Sequence, residues 1–180
     1  MLSLGLPYDL RADYLAQGWG EEETAEFDRP DTVEGIEEAL ANLGYRTERI
    51  GNIFSLVKAL NGGRRWDMVF NICEGFAGMG REAQVPALLD AYSIPYTFSD
   101  PLVLALCLHK GLTKTIVRAA GVPTPDFRVL QEPEEAKSLG LPSPLFIKPV
   151  AEGTGKGITA LSKVEESALL PERVEAMLQR

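Results

Sequence analysis

The strongest chemical signal in this 180-residue chain is the run Phe146-Ile147-Lys148-Pro149-Val150-Ala151-Glu152-Gly153-Thr154-Gly155-Lys156-Gly157-Ile158. A strand delivers Lys148 inward, a loop with three glycines follows, and a second strand leaves it. Glycines let backbone N–H groups approach phosphate oxygens closely, and a lysine neutralises their charge. Ile158 rather than a hydroxyl residue follows Gly157, so this is not the phosphate loop that opens a helix, and the dinucleotide fingerprint is absent too. Taken alone, the run reads equally well as a plain glycine-rich hairpin turn. A second lysine comes from His109-Lys110-Gly111-Leu112-Thr113-Lys114. By itself Lys110 reads as a solvated surface residue; with Lys148 and the glycine loop it makes a clamp for a triphosphate.

Such a clamp needs a scaffold. The chain carries 18 Lys+Arg against 26 Asp+Glu, a net charge of −8, and is 45 % hydrophobic. This composition supports a packed core and excludes a disordered chain, and its acidic balance disfavours a nucleic-acid partner. No apolar run approaches the roughly 20 residues of a membrane helix, and Met1 to Pro7 is too short and uncharged for a signal peptide. No membrane partner is expected, and a cytoplasmic location is the default. Cys73 and Cys107 form no Cys-x-x-Cys pair, so neither a zinc cluster nor a disulfide framework is indicated. His109, the single histidine, follows Cys107 by two residues, and on a helix the two point apart, which removes a Cys–His nucleophile.

Residues 1–100 hold 8 basic and 17 acidic side chains, and residues 101–180 hold 10 and 9. The shift predicts two modules, the second better suited to an anion. In the first, strands are predicted over Leu2–Pro7, Tyr45–Ile50, Asp67–Ile72 and Tyr96–Phe98. Helices are predicted from Thr32, with Val33, Ile36, Leu40 and Leu43 on one face and Asp31 or Thr32 as cap. Two more cover Ile53 to Leu60, capped by Asn52, and residues 82–92, where Pro86 is tolerable only in the first turn. This alternation predicts an α/β fold with a parallel sheet, helices on both faces, and ligands beyond the carboxyl ends of the strands, at loops Tyr8–Asp28 and Cys73–Arg81. In the second module a helix is predicted over Leu112–Ala120, then a strand over Phe127–Leu130 and a short helix over Glu134–Leu139. Strands over Pro144–Lys148 and Ile158–Leu161 and a helix over Pro171–Gln179 complete it.

The ordered series Ile94-Pro95-Tyr96-Thr97-Phe98-Ser99-Asp100, His109 to Lys114, Gly121-Val122-Pro123-Thr124-Pro125, Ile147-Lys148-Pro149 and Glu152-Gly153-Thr154-Gly155-x-Gly157 resembles the D-alanine–D-alanine ligase-like ATP-grasp family, from about Asp67 to Ser162. The resemblance implies a Rossmann-like pre-ATP-grasp domain over residues 1–100. Residues 101–180 would be the small N-terminal half of an ATP-grasp fold. It implies an ATP-dependent carboxylate–amine ligase that forms a peptide bond through an acyl phosphate. Lys110 and Lys148 fall on the family's phosphate-side and adenine-side lysines. Glu152, Gly153, Thr154, Gly155 and Gly157 fall on its mobile loop, with Thr154 in place of a serine that helps hold substrate and phosphate. The implied partners are ATP, Mg2+, small amino-acid or peptide substrates and a second copy of the chain.

Three departures stand beside that resemblance. Tyr8-Asp9-Leu10-Arg11-Ala12-Asp13-Tyr14 replaces a glycine-rich turn, leaving no acidic residue assigned to a substrate amino group. Glu74-Gly75 and Gly80-Arg81-Glu82 replace a second family signature; Glu74, Arg81 and Glu82 either bind a different substrate or form a salt bridge that orders the loop. The substrates are therefore unassigned. Finally, the family's catalytic arginine and magnesium carboxylates lie beyond a point matching Arg180, so the expectation is an incomplete fragment, inactive alone, with metal ligands elsewhere. The competing reading is a non-catalytic small-ligand-binding or dimerisation module derived from the same family.

Overall fold

A computed structural model describes residues 1–179. The chain forms two compact units, Met1–Ala105 and a second from Leu106 onward.

The first unit is built on a three-stranded parallel sheet in the order β2-β1-β3, with β1 at Ser3–Pro7, β2 at Arg46–Gly51 and β3 at Met68–Val69. Leu4 pairs with Thr47 on one side and with Met68 on the other. A central parallel strand has no wet face, which matches the buried Leu4 and Leu6. Helices α1 (Arg11–Ala16), α2 (Pro30–Asn42), α3 (Ile53–Asn61) and α4 (Gln84–Ala91) connect or follow the strands. Leu56, Leu60, Trp66, Val69, Cys73, Val85, Leu89 and Ile94 make one apolar core. Asn52 caps α3 as expected, accepting the Ser55 amide at 3.2 Å, and Pro86 sits in the first turn of α4.

Several expectations are corrected. The predicted strand over Asp67–Ile72 is regular only at Met68–Val69, although the Phe70 amide still donates to Gly5 and the Ile72 amide to Pro7. Tyr96–Phe98 forms a single bridge to Val69 instead of a strand. Neither Asp31 nor Thr32 caps α2: the helix starts at Pro30, whose fixed φ suits the first turn, and Asp31 pairs instead with exposed Arg29 at 2.6 Å. Leu43 is 73 % exposed, one residue past the end of the α2 stripe. Helices α1 and α5 (Pro101–Leu108) carry no periodic signal. The sequence of α5, Pro-Leu-Val-Leu-Ala-Leu-Cys-Leu, has no polar face, and Asp100 caps it by accepting the Val103 amide at 2.9 Å.

The second unit holds α6 (Lys110–Ala119), the antiparallel pair β4 (Leu145–Phe146) and β5 (Lys163–Val164), and α7 (Leu170–Leu178). Its core is Ala136, Val164, Leu170 and Val174, packed by Leu130, Leu139, Leu145 and Ile147. Phe127–Leu130 is not a strand; the Phe127 ring lies under the Lys114 ammonium at 5.1 Å and the Arg118 guanidinium at 5.5 Å. The strand expected over Ile158–Leu161 begins only at Lys163. Thr159 and Ser162 exchange bonds with each other's neighbourhood (Leu161 amide to the Thr159 hydroxyl, Thr159 amide to the Ser162 hydroxyl) and close a 3-10 turn first. Among the described residues no helix is long and apolar enough to cross a membrane.

Leu56, which is fully buried, and Leu43 test this packing directly. Leu56→Ala is expected to cost about 2–5 kcal/mol of unfolding free energy in denaturant titrations, and Leu43→Ala less than about 0.5 kcal/mol.

Candidate functional site

In the second unit the glycine loop leaves β4 through Lys148 and Pro149 and closes on itself. The Lys156 amide donates to Gly153 at 2.8 Å and the Ile158 amide to Gly155 at 3.0 Å. Thr154, Gly155 and Gly157 have φ of 48°, 81° and 74°. Gly157 cannot be replaced cheaply, because a Cβ there would lie 2.7 Å from the Pro149 ring. The loop is tied to α6 at Lys110, whose amide donates to Val150 at 2.9 Å and whose ammonium donates to the Glu152 carbonyl. Glu152 and Lys156 form an ion pair at 3.1 Å. Lys148 is exposed, with Nζ 5.5 Å over the Phe146 ring. Lys110, Glu152, Gly153, Thr154, Gly155 and Gly157 thus share one local structure, whereas the Lys148 ammonium makes its contact with the Phe146 ring of β4. His109 is not a catalytic group in this arrangement; its Nδ1 caps α6 by accepting the Leu112 amide at 3.1 Å.

In the first unit the loops after β1 and β3 are fastened by charges taken out of water. Asp9, 1 % exposed, follows β1. Its Oδ1 accepts the Tyr14 hydroxyl at 2.5 Å, and its Oδ2 accepts the Glu74 and Gly75 amides at 3.0 and 3.2 Å. Its own carbonyl accepts the Asp28 amide at 2.8 Å, closing the base of the 8–28 loop. Arg81 and Glu26 form an ion pair at 2.5 Å with side chains 8 % and 2 % exposed. Gly75 fits between these contacts only as glycine: φ is 80°, and a Cβ would lie 2.1 Å from the Arg81 carbonyl.

Burial is the first cause of every strong shift here. It raises Asp9 despite the hydrogen bonds that pull the other way, and it raises the Cys73 thiol. Asp28 is pushed up to about 6 by burial and then by Asp9. Glu74 is pushed up to about 7, by burial and then by the like charges of Glu82 and Glu26, with Arg81 pulling back. The structure therefore gathers Glu74, Arg81 and Glu82, the three sequence candidates, and adds Asp9, Tyr14, Glu26 and Asp28, which sequence reasoning missed. Asp9 carried one usable signal, a carboxylate directly after an apolar strand at its carboxyl end. Glu26 carried none, because its partner is 55 residues away.

Two outcomes follow. Arg81→Met is expected to destabilise the protein by about 3–5 kcal/mol, since it leaves Glu26 buried and uncompensated, whereas Glu26→Leu with Arg81→Met recovers most of the loss. Glu74 binds a proton more tightly folded than unfolded, so its contribution lowers stability as pH rises from about 4.5 to about 7. The thermal advantage of Glu74→Gln over the parent should widen across that window and stay level below it.

No family model matches the chain. It is 39 % identical over 121 residues to a D-alanine–D-alanine ligase of Methylorubrum extorquens (strain PA1), covering 67 % of this chain and 38 % of that protein. It is 35 % identical over 150 residues to the corresponding ligase of Xylella fastidiosa (strain Temecula1), covering 78 % and 49 %. A crystal structure of D-alanine–D-alanine ligase from Bacillus anthracis complexed with ATP shares its fold with TM-score 0.67 at 20 % identity, over 99 % of this chain and 55 % of that one. The chain thus spans less than half the length of these two curated relatives. Over that span, in sequence and in fold, it is similar to the N-terminal part of the D-alanine–D-alanine ligase-like ATP-grasp family.

Proposed function

We propose that the protein is an ATP-dependent ligase joining a carboxylate to an amine, with the glycine loop of the second unit as its nucleotide clamp. The observation that carries this reading is the double tie from Lys110 to the main chain of residues 150–152, which sets an ammonium group at the base of a loop rich in positive φ. Successive amides in such a loop make a concave anion seat. That seat fits a polyphosphate: Lys110 and Lys148 offset its charge, Glu152 to Gly157 cover it, and the exposed Thr154 hydroxyl faces the reacting phosphate. The relatives' names and the ATP complex of the Bacillus anthracis enzyme support the same assignment.

In that reaction a substrate carboxylate oxygen attacks the γ-phosphorus, the bond to ADP breaks, and an acyl phosphate forms. A substrate amine then attacks the acyl carbon, phosphate leaves with the bonding pair, and the amine loses a proton. Two anions must meet in the first step, so cationic side chains and loop amides lower the barrier by offsetting repulsion and excluding water. Mg2+ would supply further charge, and among the described residues no group of three His, Cys, Asp or Glu could hold it. Glu74 and Glu82 are given to the substrate side, with Arg81 ordering their loop through its ion pair to Glu26. A second reading, a non-catalytic ligand-binding module, is favoured by the closure of Arg81 on Glu26.

A coupled assay of the full-length protein that carries this chain, with Mg·ATP and a panel of D- and L-amino acids and dipeptides, D-alanine included, separates the two. The ligase reading predicts ADP release that depends on one or more of them, and loss of turnover of at least about 100-fold in Lys148→Ala with unchanged thermal unfolding. Absence of release across the panel favours the module.

A further inference from the structure

Asp9 is the most buried carboxylate of the first unit, and nothing in the proposed chemistry uses it. It does not face outward to a ligand, because both its oxygens are engaged inside the protein, one by Tyr14 and one by two consecutive amides. Those amides belong to Glu74 and Gly75, 65 and 66 residues away, so the carboxylate bridges two loops and not neighbouring turns. Tyr14 is itself held from a third element, since the Asn52 side-chain amide donates to its hydroxyl at 3.3 Å. The same turn is tightly confined at Gly75, where an added Cβ would lie 2.1 Å from the Arg81 carbonyl. The main-chain course at Glu74 is therefore held by Asp9 and confined at the next residue, and the direction in which its side chain leaves is set with it.

From these contacts we infer that Asp9 is a positioning residue: it acts through the Glu74 and Gly75 amides to aim the Glu74 carboxyl group at the amino-acid substrate. The inference rests on the ligase reading for the identity of what Glu74 meets, and it adds the residue that sets the geometry of that contact. The carboxylate form is required. In Asp9→Asn a single neutral acceptor oxygen remains: held on the two amides it leaves an NH2 against the Tyr14 hydroxyl, which must accept where it had donated, and held on Tyr14 it leaves the amides facing an NH2. An amide NH2 turned toward two N–H donors would push the turn away, and a displacement near 1 Å is enough to weaken a positioned contact by about 10- to 100-fold.

The test compares Asp9→Asn with the parent protein by amide proton shifts and by kinetics. The Glu74 and Gly75 amide shifts are expected to move upfield as the charged acceptor gives way to a weaker neutral oxygen or to an NH2. KM for the best amino acid of the panel is expected to rise about tenfold, while KM for ATP stays within about twofold. If Asp9 works through Glu74, the same substitution in a Glu74→Gln background adds nothing further to that KM. Should Asp9→Asn not fold, Tyr14→Phe removes one of the carboxylate's anchors and is expected to give a smaller KM rise that also vanishes in the Glu74→Gln background. Unmoved amide shifts, or a KM rise that persists without Glu74, overturn the inference. A parent protein that releases no ADP fails the ligase reading, and with it the substrate given to Glu74, whereas the amide shifts still decide whether Asp9 holds the turn.

Discussion

A charge removed from water must find a partner, and in the first unit that constraint organises both loops at the carboxyl ends of β1 and β3. Asp9 finds two amides and a hydroxyl, Glu26 finds Arg81, and the Asp28 main-chain amide donates to the Asp9 carbonyl. Two ties close a circuit between the loops, Asp9 to the turn at Glu74 and Gly75, and Glu26 of the 8–28 loop to Arg81. Each buried carboxylate is cheap only while its partner stays, because an orphaned buried charge costs far more than a paired one contributes. Glu74 stands at the edge of this circuit, half-buried among like charges, which is where a carboxyl group acquires a pKa near neutrality.

The second unit solves a different problem with different means. Its glycine loop has few side chains to pack, so its shape comes from positive-φ backbone and from two bonds to Lys110 at the start of α6. The Lys156 and Ile158 amides close the loop on itself, while Lys110 anchors it from α6.

Much of this was legible in the sequence wherever the signal is local. The apolar period and Asn52 define α3, the glycines mark the loop, and β1 reads as a buried run. Legibility ends where partners are distant or where period fails. The apolar run Asp67–Ile72 reads as a long strand, yet regular pairing covers two residues and the rest keeps only scattered bonds to β1. Helix α5 was missed because a helix apolar on all sides has no stripe to detect. Phe127–Leu130 reads as a strand, but its aromatic ring is engaged by the cations of α6. Arg81 was legible as either a substrate ligand or a loop-ordering ion pair, and only its burial against Glu26 shows which contact it makes in this state.

Native-state hydrogen exchange under increasing denaturant measures the circuit as a circuit. If the buried charges bind the two loops into one cooperative element, the amides of Asp28, Glu74 and Gly75 share one opening free energy and one denaturant dependence. If instead Glu74 and Gly75 exchange through a separate, lower-energy opening while Asp28 remains protected, the loops are fastened independently and the account of their common anchorage is wrong.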